Sequence, residues 1–179
     1  MKGIVFTNFL EMVENHFGYE LVNQLIENSD LPSKGVYTSV GTYEHSEMVK
    51  LITGLHERTG IPTSNLLREF GQYLFPVLAK NYNHFIQGAN NAFELIEGID
   101  NYIHVEVHKL YPDAELPHFD VEKINDTHFV LIYHSDRRMG DFAHGLLLAC
   151  LDYYQQKADI HISQLNDEGS KVRFEIIAK

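Results

Sequence analysis

The sequence predicts an α+β domain, in which a helical N-terminal subdomain is followed by a four-stranded, mainly antiparallel sheet with one inserted helix. Three observations predict it. Up to about residue 111, apolar side chains recur at three- and four-residue spacing, as on one face of a helix; beyond it, short stretches alternate apolar and polar, as strands do. The chain has 179 residues, 44% of them apolar, enough for one domain with a sizeable core. No internal repeat and no Pro/Gly/Ser linker divides it.

The elements follow in order. Ile4, Val5, Leu10, Val13 and Phe17 give one amphipathic face, ended by Gly18. A short helix covers roughly 19–28, and a loop with Pro32 and Gly35 follows. Met48, Leu51, Ile52 and Leu55 mark a third helix, with Gly60 past its end. Pro62 opens a fourth, carrying Leu66, Leu67, Phe70, Leu74 and Leu78; Pro76 inside it should bend the helix or expose a carbonyl. "NNAFELIEGIDNYIHVEVHKLYP" reads as one helix with the core stripe Ile96, Ile99, Ile103, Val107 and Leu110, closed by Pro112. The strands are "HFDVEKI", "THFVLIY", "DIHISQL" and "KVRFEII"; "NDEGS" joins the last two as a hairpin, and "GDFAHGLLLACLDYYQQK" is the inserted helix.

Charge and cysteine usage exclude whole classes of function. A formal charge of −11 repels phosphate backbones and anionic lipid, so no nucleic acid and no membrane partner is expected. One cysteine, Cys150, rules out a disulfide framework within the chain and a cysteine-rich zinc site. It sits in the apolar "LLLACL" and reads as a buried core thiol. The apolar residues near the N-terminus are broken by Asn8, Glu11 and Glu14, unlike a signal peptide, and no apolar run has the length of a membrane span. A soluble protein of a reducing, cytoplasmic compartment is expected.

Two clusters carry chemistry. His104 and His108 are four apart on one helix, so both could reach one metal, with a carboxylate such as Glu106 or Asp113 as third ligand of a metal-dependent enzyme. Alternatively, His104 alone could be the single protein ligand of a haem iron, with the opposite face left open. Tyr133, Ser135 and Arg137 fall at every second position at the end of an apolar strand, so they would project to one face. Two hydroxyls and a forked guanidinium supply charge-assisted hydrogen bonds to carboxylates, such as haem propionates. The same face could instead grip a carboxylate or phosphate ligand in a haem-free anion-binding module.

Together these residues resemble a known family. Met1-Lys2-Gly3 at the start, the helical His104, Pro117 after it, and Tyr133-x-Ser135-x-Arg137 in this order are similar to the haem nitric oxide/oxygen-binding (H-NOX) domains, the family of the haem domain of soluble guanylate cyclase and its stand-alone bacterial relatives. The resemblance covers essentially the whole chain. It implies a single domain over 1–179, with residues 1–60 as a distal helical part and 61–179 as a proximal part carrying the haem helix and the sheet. It implies haem b as cofactor, with the haem between the two parts. His104 resembles the proximal iron ligand, Tyr133, Ser135 and Arg137 the propionate clamp, and Pro117 the residue that presses the porphyrin out of plane. Met1, Val5, Leu78 and Leu146 join the expected haem pocket.

The resemblance also bears on the ligand. Relatives that bind O2 place a tyrosine five residues beyond the arginine; here that residue is Phe142, and their polar partners correspond to Phe9 and Leu74. Bound O2 carries partial negative charge that a buried donor would stabilise, whereas NO binds ferrous iron strongly without one. The expectation is NO and CO binding with no stable O2 complex; Tyr73 is the one nearby hydroxyl that a small helix rotation could turn inward. The resemblance further implies a sensor rather than an enzyme: NO weakens the bond to His104, the helix carrying it is released, and a separate histidine kinase or diguanylate cyclase reads the change. A lone Cys150 cannot form the cysteine cluster that some relatives carry.

Overall fold

A computed structural model describes residues 1–179, the side chain of Phe85 excepted. Helices α1 (Gly3–Phe17), α2 (Tyr19–Asn28), α3 (His45–Thr59) and α4 (Thr63–Asn81) form where the apolar periodicity placed them. Their inward faces are less simple than one stripe. In α1 the buried apolar side chains are Phe6, Phe9, Met12 and Val13, Phe17 is exposed, and Ile4 and Val5 line a cavity instead. The helix has two apolar sides, one for the core and one for the cavity, and periodicity merges them. Pro76 stays inside α4 with its ring exposed; it has no N–H to give the carbonyl of Gln72.

The long helix expected over 90–112 is broken into three pieces. After the short helix α5 (Asn83–Ile86), α6 (Ala92–Glu97) starts from Asn91, whose side chain accepts the Glu94 N–H. A π-helical turn, Ile99–Ile103, follows Gly98 and leads directly into α7 (His104–Leu110). Gly98 weakens the helix where it breaks, and the wider turn resets the register. As a result Leu110 of the expected core stripe is exposed, while Ile99, Ile103 and Val107 are half-buried at the cavity wall.

Strands β1 (His118–Asn125), β2 (His128–His134), β3 (Ala158–Gln164) and β4 (Lys171–Ala178) form one antiparallel sheet in the order β1-β2-β4-β3. Helix α8 (Gly140–Tyr153) is inserted between β2 and β3 and packs Leu147 and Leu151 with Phe129, Leu131 and Phe174 of the sheet. Two hydrophobic clusters result. One joins α1, α2, α3 and one side of α4, around Phe6, Phe9, Leu51 and Phe70; the other joins Phe75 and Ala79 of α4 with α6, α8 and the sheet. The division falls inside α4, with Leu74 in the first cluster and Phe75 in the second.

Helices α4 and α8 touch backbone to backbone. A methyl placed on Gly71 would lie 2.3 Å from the Phe142 carbonyl oxygen, and one on Gly145 would lie 2.0 Å from that of Arg68. Gly145→Ala must therefore push the helices apart, at about 1–3 kcal/mol by the usual cost of overpacking. The expected result is a melting temperature lower by several degrees in thermal denaturation, at roughly 2–4 °C per kcal/mol. A melting curve superimposed on that of the parent protein would contradict this packing.

Candidate functional site

A cavity of about 340 Å³ lies between the two clusters. Its walls come from Ile4 and Val5 of α1, Leu74 and Leu78 of α4, Ile103 and His104 at the start of α7, the loop from Tyr111 to Pro117, and Phe142, Leu146 and Cys150 of α8. The lining is almost wholly apolar, with a few polar groups converging on it, as in small-molecule and cofactor sites. Met1 and Pro117 are both in the wall.

His104 is the first residue of α7, immediately after the π-helical turn. Its Nδ1 donates to Asp100 Oδ1 at 3.0 Å, and the same oxygen accepts the Phe119 N–H at 3.2 Å. Burial lowers the pKa of the ring, and the Asp100 carboxylate opposes the shift. The neutral ring, with Nδ1 engaged, has Nε2 left to ligate a metal. The alternative metal site is not assembled: His108 is exposed, Glu106 pairs with Lys109 at 2.5 Å, and Asp113 is held by Thr42 at 2.5 Å and by Lys2 at 3.4 Å. Among the described residues no group of three His, Cys, Asp or Glu side chains could hold a metal ion. A metal at His104 must bring its remaining donors with it, as a porphyrin does.

Tyr133, Ser135 and Arg137 all line the cavity, but not from one strand face. Strand β2 ends at His134; Ser135 and Arg137 belong to a turn closed by the Arg138 N–H on the Ser135 carbonyl, with Arg138 at φ 55°. The turn, not the pleat, aims the guanidinium. Arg137 Nη1 donates to the Glu115 carbonyl and Nη2 to Glu115 Oε2, both at 2.8 Å. The fork thus already holds a carboxylate, the group a propionate would present. The Tyr133 hydroxyl accepts the Met139 N–H at 3.0 Å, which leaves its own proton to donate; burial raises this phenol's pKa against Ser135, Met139 and Arg137. The Met1 amine and the His45 ring are both held below their usual pKa values, by burial first and then by the Arg137 charge. Arg137 thus brings a guanidinium charge to this edge of the cavity, where Glu115 balances it.

The wall formed by α1, α4 and α8 carries Val5, Leu74, Leu78, Phe142 and Leu146, none of which has a donor. Phe9 is not among the residues that line the cavity. It packs edge-on against Phe70 at 5.2 Å, which in turn contacts Phe142 at 5.1 Å, so it supports the wall from behind. Tyr73 turns the other way, its hydroxyl accepting from Asn15 Nδ2 at 3.0 Å. Sequence reasoning missed Cys150, Tyr82 and Tyr111 in the wall. Cys150 follows Phe142 and Leu146 at successive steps of four along α8, a spacing that was available to find it. Tyr82 and Tyr111 meet hydroxyl to hydroxyl at 3.1 Å, a long-range pairing that no local pattern signals.

Comparison with known proteins agrees with this geometry. A family described as haem-NO-binding matches residues 2–162. The Fe(II) unliganded H-NOX protein from K. algicida is 39% identical, with 100% of this chain and 97% of that one covered and a TM-score of 0.97. The H-NOX protein from S. oneidensis in the Fe(II)NO ligation state is 30% identical, with 100% and 99% covered and a TM-score of 0.90. The H-NOX from Shewanella woodyi in the Fe(II)CO state is 40% identical, with 100% and 95% covered and a TM-score of 0.83. No curated protein matches the sequence.

The Cys150 thiol is buried, and burial pushes its pKa up to about 12. At pH 8 almost none of it is thiolate, the reactive form. The expected result is negligible labelling by a thiol reagent in the native protein and one equivalent after denaturation. Rapid native labelling would show that the α8 wall opens.

Proposed function

The chain belongs to the haem-NO-binding (H-NOX) family of haem-based gas sensors, and from that premise we propose that it binds haem b through His104, senses nitric oxide and CO without a stable O2 complex, and signals to a separate partner. The observation that carries this reading is one apolar cavity that brings together a hydrogen-bonded His104 and a guanidinium with one arm already on a carboxylate. When bound, haem supplies a ferrous iron that takes a diatomic gas.

The residues divide the work. His104 ligates through Nε2, and Asp100 holds the ring in one tautomer. Arg137, Ser135 and Tyr133 would hold the propionates at the edge of the cavity that they line. Pro117, also in the wall, would press on the macrocycle. Val5, Leu74, Leu78, Phe142 and Leu146 exclude water and offer no hydrogen bond to a bound gas. A buried hydrogen bond to a charged group contributes about 1.5–3 kcal/mol, roughly one to two decades of affinity, and its absence weighs against O2 and spares NO.

The reader of the signal is proposed to be a histidine kinase or a diguanylate cyclase in the cytoplasm. Among the described residues no helix is long and apolar enough to cross a membrane. His104 sits at the junction of the π-helical turn and α7, so a change in its tether acts first on a short helix with an exposed outer face.

The test is an absorption spectrum of the reduced protein under anaerobic conditions. A ferrous Soret band that moves to the blue with NO, and does not change in air-equilibrated O2, supports the reading; a colourless protein that takes up no haem sinks it. Arg137→Ala should lower haem affinity by roughly one to two decades, the value of a charge-assisted hydrogen bond. Phe142→Tyr, which adds a donor to the cavity wall, should raise O2 affinity, read as a slower loss of O2 in stopped flow; an unchanged rate would remove Phe142 from the selectivity argument.

A further inference from the structure

Asp100 does more than touch His104. Its Oδ1 accepts from His104 Nδ1 at 3.0 Å and from the Phe119 N–H at 3.2 Å, and its Oδ2 lies 2.5 Å from His118 Nδ1. His118 Nε2 in turn lies 3.1 Å from Asp120 Oδ1, and Asp120 Oδ2 lies 2.8 Å from His134 Nε2. Imidazole and carboxylate alternate through five residues, from the cavity wall to the surface of the sheet.

The fold builds this chain deliberately. His118 and Asp120 are two apart on β1, so they share a face. His118 and His134 are paired across β1 and β2, with ring centroids 5.7 Å apart. Asp100 lies in the π-helical turn, four residues before His104, and reaches both the ligand ring and the first residues of β1. Helix and sheet meet through one carboxylate.

On the reading that His104 ligates haem iron, we propose that Asp100 is a positioning residue that sets the donor strength of His104, and that His118 tempers it by sharing the same carboxylate. A carboxylate that accepts the outer N–H of a ligating histidine fixes the ring and raises its basicity. Every further donor to that carboxylate draws on the same negative charge, so His118 leaves less of it for His104. The two residues therefore act on the ligand in opposite senses. An anchor that only joined the π-helical turn to β1 would have no such sign.

The experiment is resonance Raman spectroscopy of the ferrous, haem-loaded full chain, reading the iron–histidine stretching band. Asp100→Asn should shift the band to lower frequency, because a weaker acceptor leaves the ring less basic. His118→Gln, at an exposed position, should shift it to higher frequency, because Asp100 then acts on His104 with less competition. Any other pattern, a band unmoved in both or moved the same way in both, overturns the assignment. Should Asp100→Asn fail to fold, His118→Gln decides alone: an upward shift supports the proposal, and none or a downward one overturns it. Absence of the band from the parent protein overturns the haem reading and this proposal with it.

Discussion

The contact of α4 with α8 is the constraint on which the rest of the site depends. Gly71 and Gly145 let the two backbones meet with nothing between them. Close approach at one point forces the side chains on either side to diverge. Leu74 and Leu78 leave that crossing along α4, and Leu146 and Cys150 leave it along α8, all lining the cavity. The void is therefore a product of packing nearby, since an interior at ordinary density would close over a gap lined by flexible side chains. It also explains why the molecule has two hydrophobic clusters rather than one, divided between Leu74 and Phe75 of the same helix.

The second requirement is that a polar group enter this apolar space without stranding its partners. His104 meets it by arriving at a change of helical register. The π-helical turn Ile99–Ile103 places Ile99 and Ile103 in the wall and Asp100 behind it, so the ring enters the cavity with Nδ1 already satisfied. A regular helix would keep the same spacing of four but not the same relation to β1, where Phe119 and His118 complete the hydrogen bonding of Asp100. An unpaired carboxylate at this depth would be unfavourable, and its three partners come from α7 and β1.

Much of this is visible in the residues themselves. Helix-period apolar spacing, strand alternation and the "NDEGS" hairpin specify the order of elements, because each is a local rule that neighbouring residues carry. His104, Arg137, Ser135 and Tyr133 stand out because their chemistry is unusual in apolar surroundings. What escapes is whatever depends on two segments at once. Phe9 reads as a cavity residue in α1 and packs on Phe70, which in turn packs on Phe142. Ile4 and Val5 share an apolar face with core residues and point elsewhere. Glu115, the partner of Arg137, comes from a loop whose course no periodicity describes.

That last partner raises the question of whether the Arg137 fork is available at all. The ion pair joins a guanidinium with 18% of its side chain exposed to a carboxylate with 85% exposed. Exposed pairs of this kind contribute about 0–1 kcal/mol, since water competes for the carboxylate and the chain must order it. A carboxylate delivered from inside the cavity meets less water and has the Ser135 and Tyr133 hydroxyls beside it, and a hydrogen bond of that type contributes about 1.5–3 kcal/mol. On the proposed function, an inner carboxylate would displace the outer one. The Glu115 carbonyl, at 2.8 Å from Nη1, keeps the guanidinium aimed throughout, so the exchange leaves the fork in place.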